Sequence, residues 1–219
     1  MTDRTAVENW VAEVHAATGH IDVVVNNAAF IRWETVAEMP VEDAERTMRV
    51  GYDGMVYMVK AVLPLMQQAG QGHIVNIGSS VGRLFVPGPS AAYVAVKAAI
   101  DGYTQLLQME LRNSPIAVTL VRLYAVAGTD FFGKHVASSK MPRTSDFLPY
   151  LTPPQVADAI VRAIHYRRAI LDIPAYLPVA YLLFTLAPGF VRWVLAIGGR
   201  GRRDYGRVKW RYTPEERTP

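Results

Sequence analysis

A phenol, an ammonium and a hydroxyl occur close together in the middle of this chain, at Tyr93, Lys97 and Ser80. Tyr93 and Lys97 are four residues apart, so within a helix both side chains lie on one face. A lysine ammonium beside a phenol favours the phenolate, and we expect it to lower the pKa of Tyr93. The Ser80 hydroxyl can donate a hydrogen bond to a substrate oxygen. Together these groups can protonate a carbonyl as a hydride arrives, or run the reverse reaction on an alcohol.

The elements that must position these residues alternate between strand-like and helix-like patterns. Short β-branched runs predict buried parallel strands, and longer runs with helical spacing predict helices. This alternation predicts an α/β fold in which a parallel sheet is covered by helices on both faces. Strands are predicted at 21–25, 73–77, 116–123 and 169–173, and helices at 3–19, 41–68, 91–112 and 153–165.

The polar motifs follow the predicted strands. Asn26 and Asn27 end the first strand, Ser79 and Ser80 follow the second, and Tyr93 opens the next helix. Each motif taken alone has an ordinary explanation, because paired serines are common in turns and a Tyr–Lys spacing of four arises by chance. In an open parallel sheet, however, ligands bind beyond the carboxyl ends of the strands. The order of the motifs therefore predicts one shared site at that edge.

The composition indicates a globular protein with a large core. The 219 residues are 51% hydrophobic and 19% charged, which excludes global disorder. The chain has no cysteine, which excludes disulfides and thiolate metal sites and is compatible with a reducing compartment. The first twenty residues are charged and helix-like rather than a secretory signal. We expect a cytoplasmic protein without a metal site.

Residues 173–219 differ from the rest of the chain, so we divide the protein into a domain at 1–172 and an extension at 173–219. Residues 173–191 carry no charge and are long enough to be examined as a membrane span. Prolines 174, 178 and 188 interrupt them, which predicts a broken hydrophobic hairpin rather than one straight helix. Residues 192–211 then hold seven basic side chains and one acid.

Two roles remain open for this extension. Its apolar stretch can seat on a membrane with the cations at anionic headgroups, or it can pack on the domain or on a second subunit. Nucleic acid is not expected as a partner, because the basic residues are confined to the tail and no recognition helix accompanies them.

Two segments resemble the short-chain dehydrogenase/reductase family. Residues 21–29 are similar to the family's strand D-V-L-V-N-N-A-G. Residues 73–99 resemble its block I-V-N-I-S-S … Y-x-x-x-K-A-A, with Ser80 thirteen positions before Tyr93 as in the family. The resemblance covers about residues 1–170. It implies a Rossmann-like doubly wound sheet and an NAD- or NADP-dependent oxidoreductase that interconverts an alcohol and a carbonyl by hydride transfer. It also implies a homo-oligomer.

The resemblance assigns roles to particular residues. Tyr93 would be the general acid/base, Lys97 would lower its pKa and bind the nicotinamide ribose, and Ser80 would orient the substrate. Other roles implied by the resemblance are cofactor ribose contact by Asn26, a structural role for Asn76, backbone contact to nicotinamide by Val126, and a hydroxyl contact to nicotinamide by Thr129.

The chain departs from the family pattern at its start. The glycine-rich turn T-G-x-x-x-G-I-G should precede the Asn-Asn-Ala strand by roughly 60 residues, at ~30 per βαβ unit, but 25 residues precede Asn26. Met1-Thr2-Asp3 resembles the end of the family's D-V-T-D segment. We therefore expect an N-terminally truncated member, begun at an internal GTG codon and lacking the first βαβ half of the sheet. Such a chain should expose a sheet edge and bind NAD(P) poorly by itself.

Two further departures concern the catalytic machinery. Where the family has V-N-x-x-G, this chain has Gly51 in place of the asparagine, and Asp53 either substitutes for it or is a solvated helix acid. The family's Pro-Gly after the third strand is replaced by Leu123-Tyr124. These changes leave an alternative function, a catalytically inactive scaffold or membrane-associated interaction protein.

Substrate choice is expected to come from three loops at 32–34, 84–90 and 131–150. The last is rich in aromatic residues, such as Phe131 and Phe147. It suits a lid over an apolar or lipid-like substrate, and packing of the loop onto the core is the equally open alternative.

Overall fold

The structure, a computed structural model, describes residues 1–85, 91–127 and 150–196. Every predicted strand and helix in these ranges is present, with ends that shift by a few residues. The helices are α1 Arg4–Thr18, α2 Val41–Met48, α3 Gly54–Ala69, α4 Ala91–Glu110, α5 Pro153–His165, α6 Leu177–Leu186 and α7 Pro188–Ala196. The strands are β1 Val23–Asn26, β2 Gly72–Ile77, β3 Ile116–Leu123 and β4 Ile170–Ile173.

Local residue chemistry sets the ends of the helices that precede the strands. The Asp3 side chain accepts a hydrogen bond from the backbone N–H of Ala6 and so caps α1. Gly19 ends α1 at φ 77° and Gly70 ends α3 at φ 70°. This left-handed conformation costs glycine little because it has no Cβ. Each glycine therefore turns the chain out of a helix and into the next strand.

The strands form one parallel sheet in the order β1-β2-β3-β4, so neighbours in the chain are neighbours in the sheet. Helices α1, α3 and α4 pack on one face around a large apolar core that includes Val59, Ile74 and Leu120. Helix α5 packs on the other face, against Val75 and Val121. This α/β arrangement brings the carboxyl ends of all four strands to one edge.

Strand β1 is buried on one face only, so the prediction that it is buried on both faces is wrong. Val24 packs against the larger core, whereas Val23 and Val25 are 41% and 46% exposed. The register pairs Val25 with Val75, which places Val25 on the α5 face of the sheet. Helix α5 contacts β3 and β4, and it does not reach far enough to cover the edge strand.

The helix predicted over 41–68 contains a π-helical turn, Arg49–Asp53, between α2 and α3. Such turns are rare and often occur at functional sites. Gly51 lies buried in this turn, and a Cβ built on it would be 2.8 Å from Cγ2 of Val96. Helix α4 therefore packs directly on the Gly51 backbone, which leaves no room for a side chain.

The apolar extension forms a bent helix pair, as the proline spacing predicts. Helix α6 and the described part of α7 meet at 119°. Within the described ranges, no single helix is both long enough and apolar enough to cross a bilayer, although this bent pair passes the test when its two members are taken together. Leu177, Tyr181 and Phe184 of α6 are buried against the rest of the fold.

Candidate active site

Helix α4 presents Tyr93 and Lys97 on one face, as their spacing predicts. The Lys97 ammonium lies 5.6 Å from the centroid of the Tyr93 ring, within cation–π distance. Lys97 is 4% exposed. The two side chains belong to the first turns of a helix that begins at the carboxyl edge of the sheet, where ligands of this fold bind.

Lys97 is held by the end of β2. Its Nζ donates a hydrogen bond to the carbonyl oxygen of Ile77 at 2.8 Å. Burial lowers the pKa of Lys97 to about 8, because the charged form loses its hydration. The ammonium is still mostly protonated at neutral pH.

Burial acts on Tyr93 in the opposite direction. Desolvation raises the pKa of Tyr93 to about 12, and a hydrogen bond between the Tyr93 and Ser79 side chains opposes this rise. The residue as a whole is only partly buried, but the packing around its hydroxyl decides the titration. The net pKa of Tyr93 is therefore raised rather than lowered, because desolvation of the phenol is the larger effect. The Lys97 ammonium also donates to the Ile77 carbonyl, and its effect on the phenolate stays a prediction.

The hydroxyl that meets Tyr93 is that of Ser79. Ser79 continues the extended backbone of β2, at φ −159° and ψ 155°, and its Oγ donates to the Leu123 carbonyl at 3.3 Å. The predicted Ser80 begins a short 3-10 turn and is buried, and its carbonyl accepts hydrogen bonds from the N–H groups of Arg83 and Leu84. The structure thus brings Tyr93 and Lys97 together with Ser79, the residue that precedes the predicted Ser80.

Gly82 explains how this turn comes so close to α4. A Cβ built on Gly82 would lie 2.7 Å from the carbonyl oxygen of Lys97, a distance that real Cβ atoms do not adopt. Only glycine allows the backbone of the turn to rest on the first turns of α4. The close approach places Ser79 beside Tyr93.

A chain of side-chain hydrogen bonds joins β1, β2 and α4 below the site. Asn26 Nδ2 donates to Asn76 Oδ1 at 2.8 Å, and Asn76 Nδ2 donates to Thr104 Oγ1 at 3.0 Å. The Thr104 hydroxyl donates in turn to the Ile100 carbonyl at 2.6 Å. Asn76 is fully buried, in keeping with the structural role expected for it. Asn26 stands at the carboxyl end of β1, and its contact with a cofactor ribose stays a prediction.

A buried ion pair holds α4 against β3. The Arg122 guanidinium donates to both carboxylate oxygens of Asp101, with Nε–Oδ2 at 2.5 Å and Nη2–Oδ1 at 3.1 Å. Arg122 Nη1 also lies 3.7 Å from Asp172 Oδ2 on β4. Asp101 is one helical turn beyond Lys97, so this two-point contact restrains the part of α4 that carries the catalytic face.

The remaining predicted site residues lie at the same edge of the sheet or outside the described residues. Val126 forms a parallel bridge with Leu151, and the N–H of Ala127 donates to the Leu151 carbonyl at 2.9 Å. Thr129 lies outside the described residues.

From the predicted loop at 32–34, the Trp33 ring contacts the Tyr93 ring with centroids 6.2 Å apart. The loop is predicted to influence substrate choice, and its ring contact with Tyr93 depends on tertiary packing that residue spacing does not reveal.

Asp53 lines a surface groove with Ala92 and Ala95, between the π-helical turn and α4. This position favours the solvated helix acid over a substitute for the family's asparagine.

Within the ranges that the structure describes, no group of three or more His, Asp or Glu side chains is placed to hold a metal ion.

Comparisons with known proteins agree with this geometry. The model of the short chain dehydrogenase family matches residues 1–140. The NADP-dependent 3-hydroxy acid dehydrogenase of Escherichia coli K12 is 33% identical over 161 residues, covering 72% of this chain and 64% of that protein. The fatty acyl-CoA reductase of Acinetobacter baylyi is 32% identical over 206 residues, covering 90% of this chain and 64% of that protein.

A solved structure, the closed form of serine dehydrogenase complexed with NADP+, superposes with a TM-score of 0.68 at 30% identity. That match covers 78% of this chain and 72% of the solved chain. The chain spans 64% of the length of the two curated relatives named above. The family model accounts for more than half of the residues, and it includes the segments that carry Ser79, Tyr93 and Lys97. The chain therefore belongs to the short chain dehydrogenase family.

Proposed function

We propose that this chain carries the catalytic residues of an NAD- or NADP-dependent oxidoreductase that interconverts an alcohol and a carbonyl on an apolar substrate. The observation that carries the proposal is the contact between the Ser79 and Tyr93 hydroxyls beside the Lys97 ammonium. The cofactor class is supported by a relative named as NADP-dependent and by a structural neighbour complexed with NADP+.

The donor set at this edge fits the nicotinamide-ribose end of such a cofactor. An amide at Asn26, a phenol at Tyr93 and an ammonium at Lys97 are groups that hydrogen-bond sugar hydroxyls. A glycine-rich turn of the family's pyrophosphate-binding type does not occur in these 219 residues. When bound, the cofactor supplies a hydride to the substrate carbonyl carbon or accepts one from the alcohol carbon.

The chain's own residues manage the proton at the substrate oxygen. With its pKa raised to about 12, Tyr93 is protonated at neutral pH and suits a proton donor to a carbonyl oxygen. The Ser79 hydroxyl can hydrogen-bond the same substrate oxygen and so hold it against the phenol. In the opposite direction Tyr93 must accept a proton, and the positive charge of Lys97 then stabilises the phenolate.

The preference for an apolar substrate rests on the segment that follows Ser79. The Phe85 ring packs edge-on against Phe184 of α6, with centroids 5.9 Å apart. The Arg83 guanidinium lies 5.4 Å from the centroid of the Tyr181 ring. The extension thus adds aromatic surface next to the catalytic segment. The relative named fatty acyl-CoA reductase aligns over 90% of this chain, a share that necessarily includes part of 173–219.

The test is turnover by the purified chain, with reduced NAD or NADP and straight-chain aldehydes in one direction and with oxidised NAD or NADP and 3-hydroxy acids in the other. Replacement Tyr93→Phe should lower kcat/KM by at least about 100-fold, because general acid–base catalysis contributes that much. The matched control is Tyr103→Phe on the same helix, whose ring packs edge-on against Tyr52 and which should keep most of the activity. Equal turnover by wild type and Tyr93→Phe would contradict the proposal.

Chain length of the aldehyde tests the substrate class separately. Burial of each methylene contributes about 0.8 kcal/mol, which corresponds to about a fourfold rise in kcat/KM. We expect kcat/KM to rise with chain length until the apolar surface is filled. A flat profile, or a preference for short 3-hydroxy acids, would reject an apolar substrate while leaving the oxidoreductase chemistry intact.

We also propose a homo-oligomer. Leu106 and Met109 on the outer face of α4 are 55% and 66% exposed, and these apolar side chains support a contact between subunits. Sedimentation velocity of the wild type and of a Leu106→Asp/Met109→Asp variant tests this proposal. A monomeric wild type would refute it.

A further inference from the structure

Helix α6 is apolar around its whole circumference, although only one face is covered. Leu177, Tyr181 and Phe184 form the buried face. A helix that is apolar all round is normally buried in a core or in lipid. Its opposite face is 54–73% exposed, through Val179, Leu182, Leu183 and Leu186.

Helix α7 extends this apolar surface. The Phe190 and Trp193 rings stack with centroids 6.0 Å apart, and both residues are exposed. Residues 173–191 contain no charged side chain. A contiguous exposed apolar surface of this kind marks a site of contact with a partner or with lipid.

The charge of the neighbouring sequence identifies the partner. Arg192 is the first charged residue after Asp172, and its guanidinium lies 5.5 Å from the centroid of the Phe184 ring. Residues 192–211 hold seven basic side chains and one acid, whereas the rest of the chain holds 16 basic and 18 acidic residues. The net positive charge of the protein is therefore concentrated in the sequence from Arg192 to Arg211, directly after the apolar stretch.

A second copy of the chain fits this combination poorly, because both copies carry the same net positive charge of +4. An anionic bilayer matches both features. Apolar and aromatic side chains enter the boundary between headgroups and acyl chains, and each basic residue near an anionic surface contributes about 1 kcal/mol. The 119° bend between α6 and α7 suits a helix pair that lies in the interface rather than one that crosses it.

We propose that the exposed apolar faces of α6 and α7 form a docking surface for the anionic face of a lipid bilayer, which the basic sequence after α7 favours by its charge. This inference does not depend on the proposed oxidoreductase activity. Contacts of Phe85 with Phe184 and of Arg83 with Tyr181 join the docking surface to the segment that carries Ser79. Docking therefore places the candidate active site near the membrane.

The experiment is flotation of the purified full chain with vesicles of phosphatidylcholine alone and of phosphatidylcholine mixed with phosphatidylglycerol. We expect binding to the mixed vesicles that weakens as salt screens the charges. The double variant Leu183→Asp/Leu186→Asp should lose at least tenfold in the bound-to-free ratio. The matched control is Val161→Asp, which alters a similarly exposed apolar residue on α5 and should bind like the wild type. Far-ultraviolet circular dichroism of the variants checks that both are folded.

Trp193 reports the depth of docking directly. Brominated lipids should quench the tryptophan fluorescence of the wild type more than that of Trp193→Phe. Equal flotation of the double variant and the control, or no flotation of the wild type with either vesicle, would overturn the proposal. A wild type that does not float but forms a dimer that Leu183→Asp/Leu186→Asp dissociates would also overturn it, in favour of a second copy of the chain.

Discussion

Lys97 Nζ donates a hydrogen bond to the carbonyl oxygen of Ile77 across 2.8 Å, so the last residue of β2 holds the lysine of the candidate site. A buried ammonium with one backbone acceptor is costly to keep charged, and burial lowers its pKa to about 8. Lysines with pKa values shifted in this way concentrate at functional sites, where burial of a charged group lowers stability but serves catalysis.

The first prediction concerns the pH dependence of stability. Lysine titrates near 10.5 in the unfolded chain and near 8 in the folded protein. Between these values unfolding takes up a proton, so the free energy of unfolding should rise with pH across this window, by about 3 kcal/mol in all. Replacement Lys97→Met should remove this rise. Urea denaturation at several pH values measures it. The exposed Lys60→Met serves as control and should keep the wild-type slope; a wild type without any slope would contradict the burial of a charged lysine.

The second prediction separates the two serines. Ser79 contacts the Tyr93 hydroxyl, whereas Ser80 begins the 3-10 turn. Replacement Ser79→Ala should lower kcat/KM by about 30- to 150-fold. The loss of a positioned hydrogen bond to the reacting oxygen costs about 2–3 kcal/mol of transition-state stabilisation. Ser80→Ala should change it by less than about fivefold. Steady-state kinetics of both variants decides between the hydroxyls, and the opposite ranking would restore Ser80 as the substrate contact.

The third prediction concerns the buried ion pair. Removal of the guanidinium in Arg122→Met leaves the buried Asp101 and the partly buried Asp172 without this partner, and should destabilise the fold by about 3–5 kcal/mol. The exposed pair of Arg49 and Glu45 provides the contrast: Arg49→Met should cost less than about 1 kcal/mol. Urea denaturation compares the two. Similar losses for both variants would show that the buried network does not restrain α4.

The fourth prediction tests the close packing of α4 on the π-helical turn. A methyl group in Gly51→Ala would meet Val96 at 2.8 Å, and overpacking of this kind should destabilise the fold by about 1–3 kcal/mol. The second change Val96→Ala should recover part of this loss. Gly102→Ala on α4 meets no atom within 4 Å, and should instead stabilise the helix by about 1 kcal/mol. Thermal melting of the wild type, Gly51→Ala, Gly51→Ala/Val96→Ala and Gly102→Ala measures these changes in stability. A Gly51→Ala variant as stable as the wild type would rule out the close contact.

The elements of this protein follow from local sequence. Short β-branched runs predicted β2, β3 and β4, and the helix ends predicted at 19 and 68 lie within a residue of the ends of α1 and α3. The four-residue spacing of Tyr93 and Lys97 predicted a shared helical face, which the structure also confirms. Each of these predictions depends on backbone geometry within a few residues, which the residue types control directly. Homo-oligomerisation and the cofactor contacts of Asn26, Val126 and Thr129 stay predictions.

Packing between distant segments decided the rest. Motif spacing favoured Ser80, but the strand continues through Ser79, and Gly82 lets the turn rest on α4 so that Ser79 meets Tyr93. The spacing also predicted a lowered pKa for Tyr93, whereas desolvation raises it to about 12. Residue order along the chain thus determined which chemical groups reach the carboxyl edge of the sheet. The tertiary fold determined which hydroxyl faces the phenol and how readily it ionises, because both depend on atoms far apart in sequence that exclude water together.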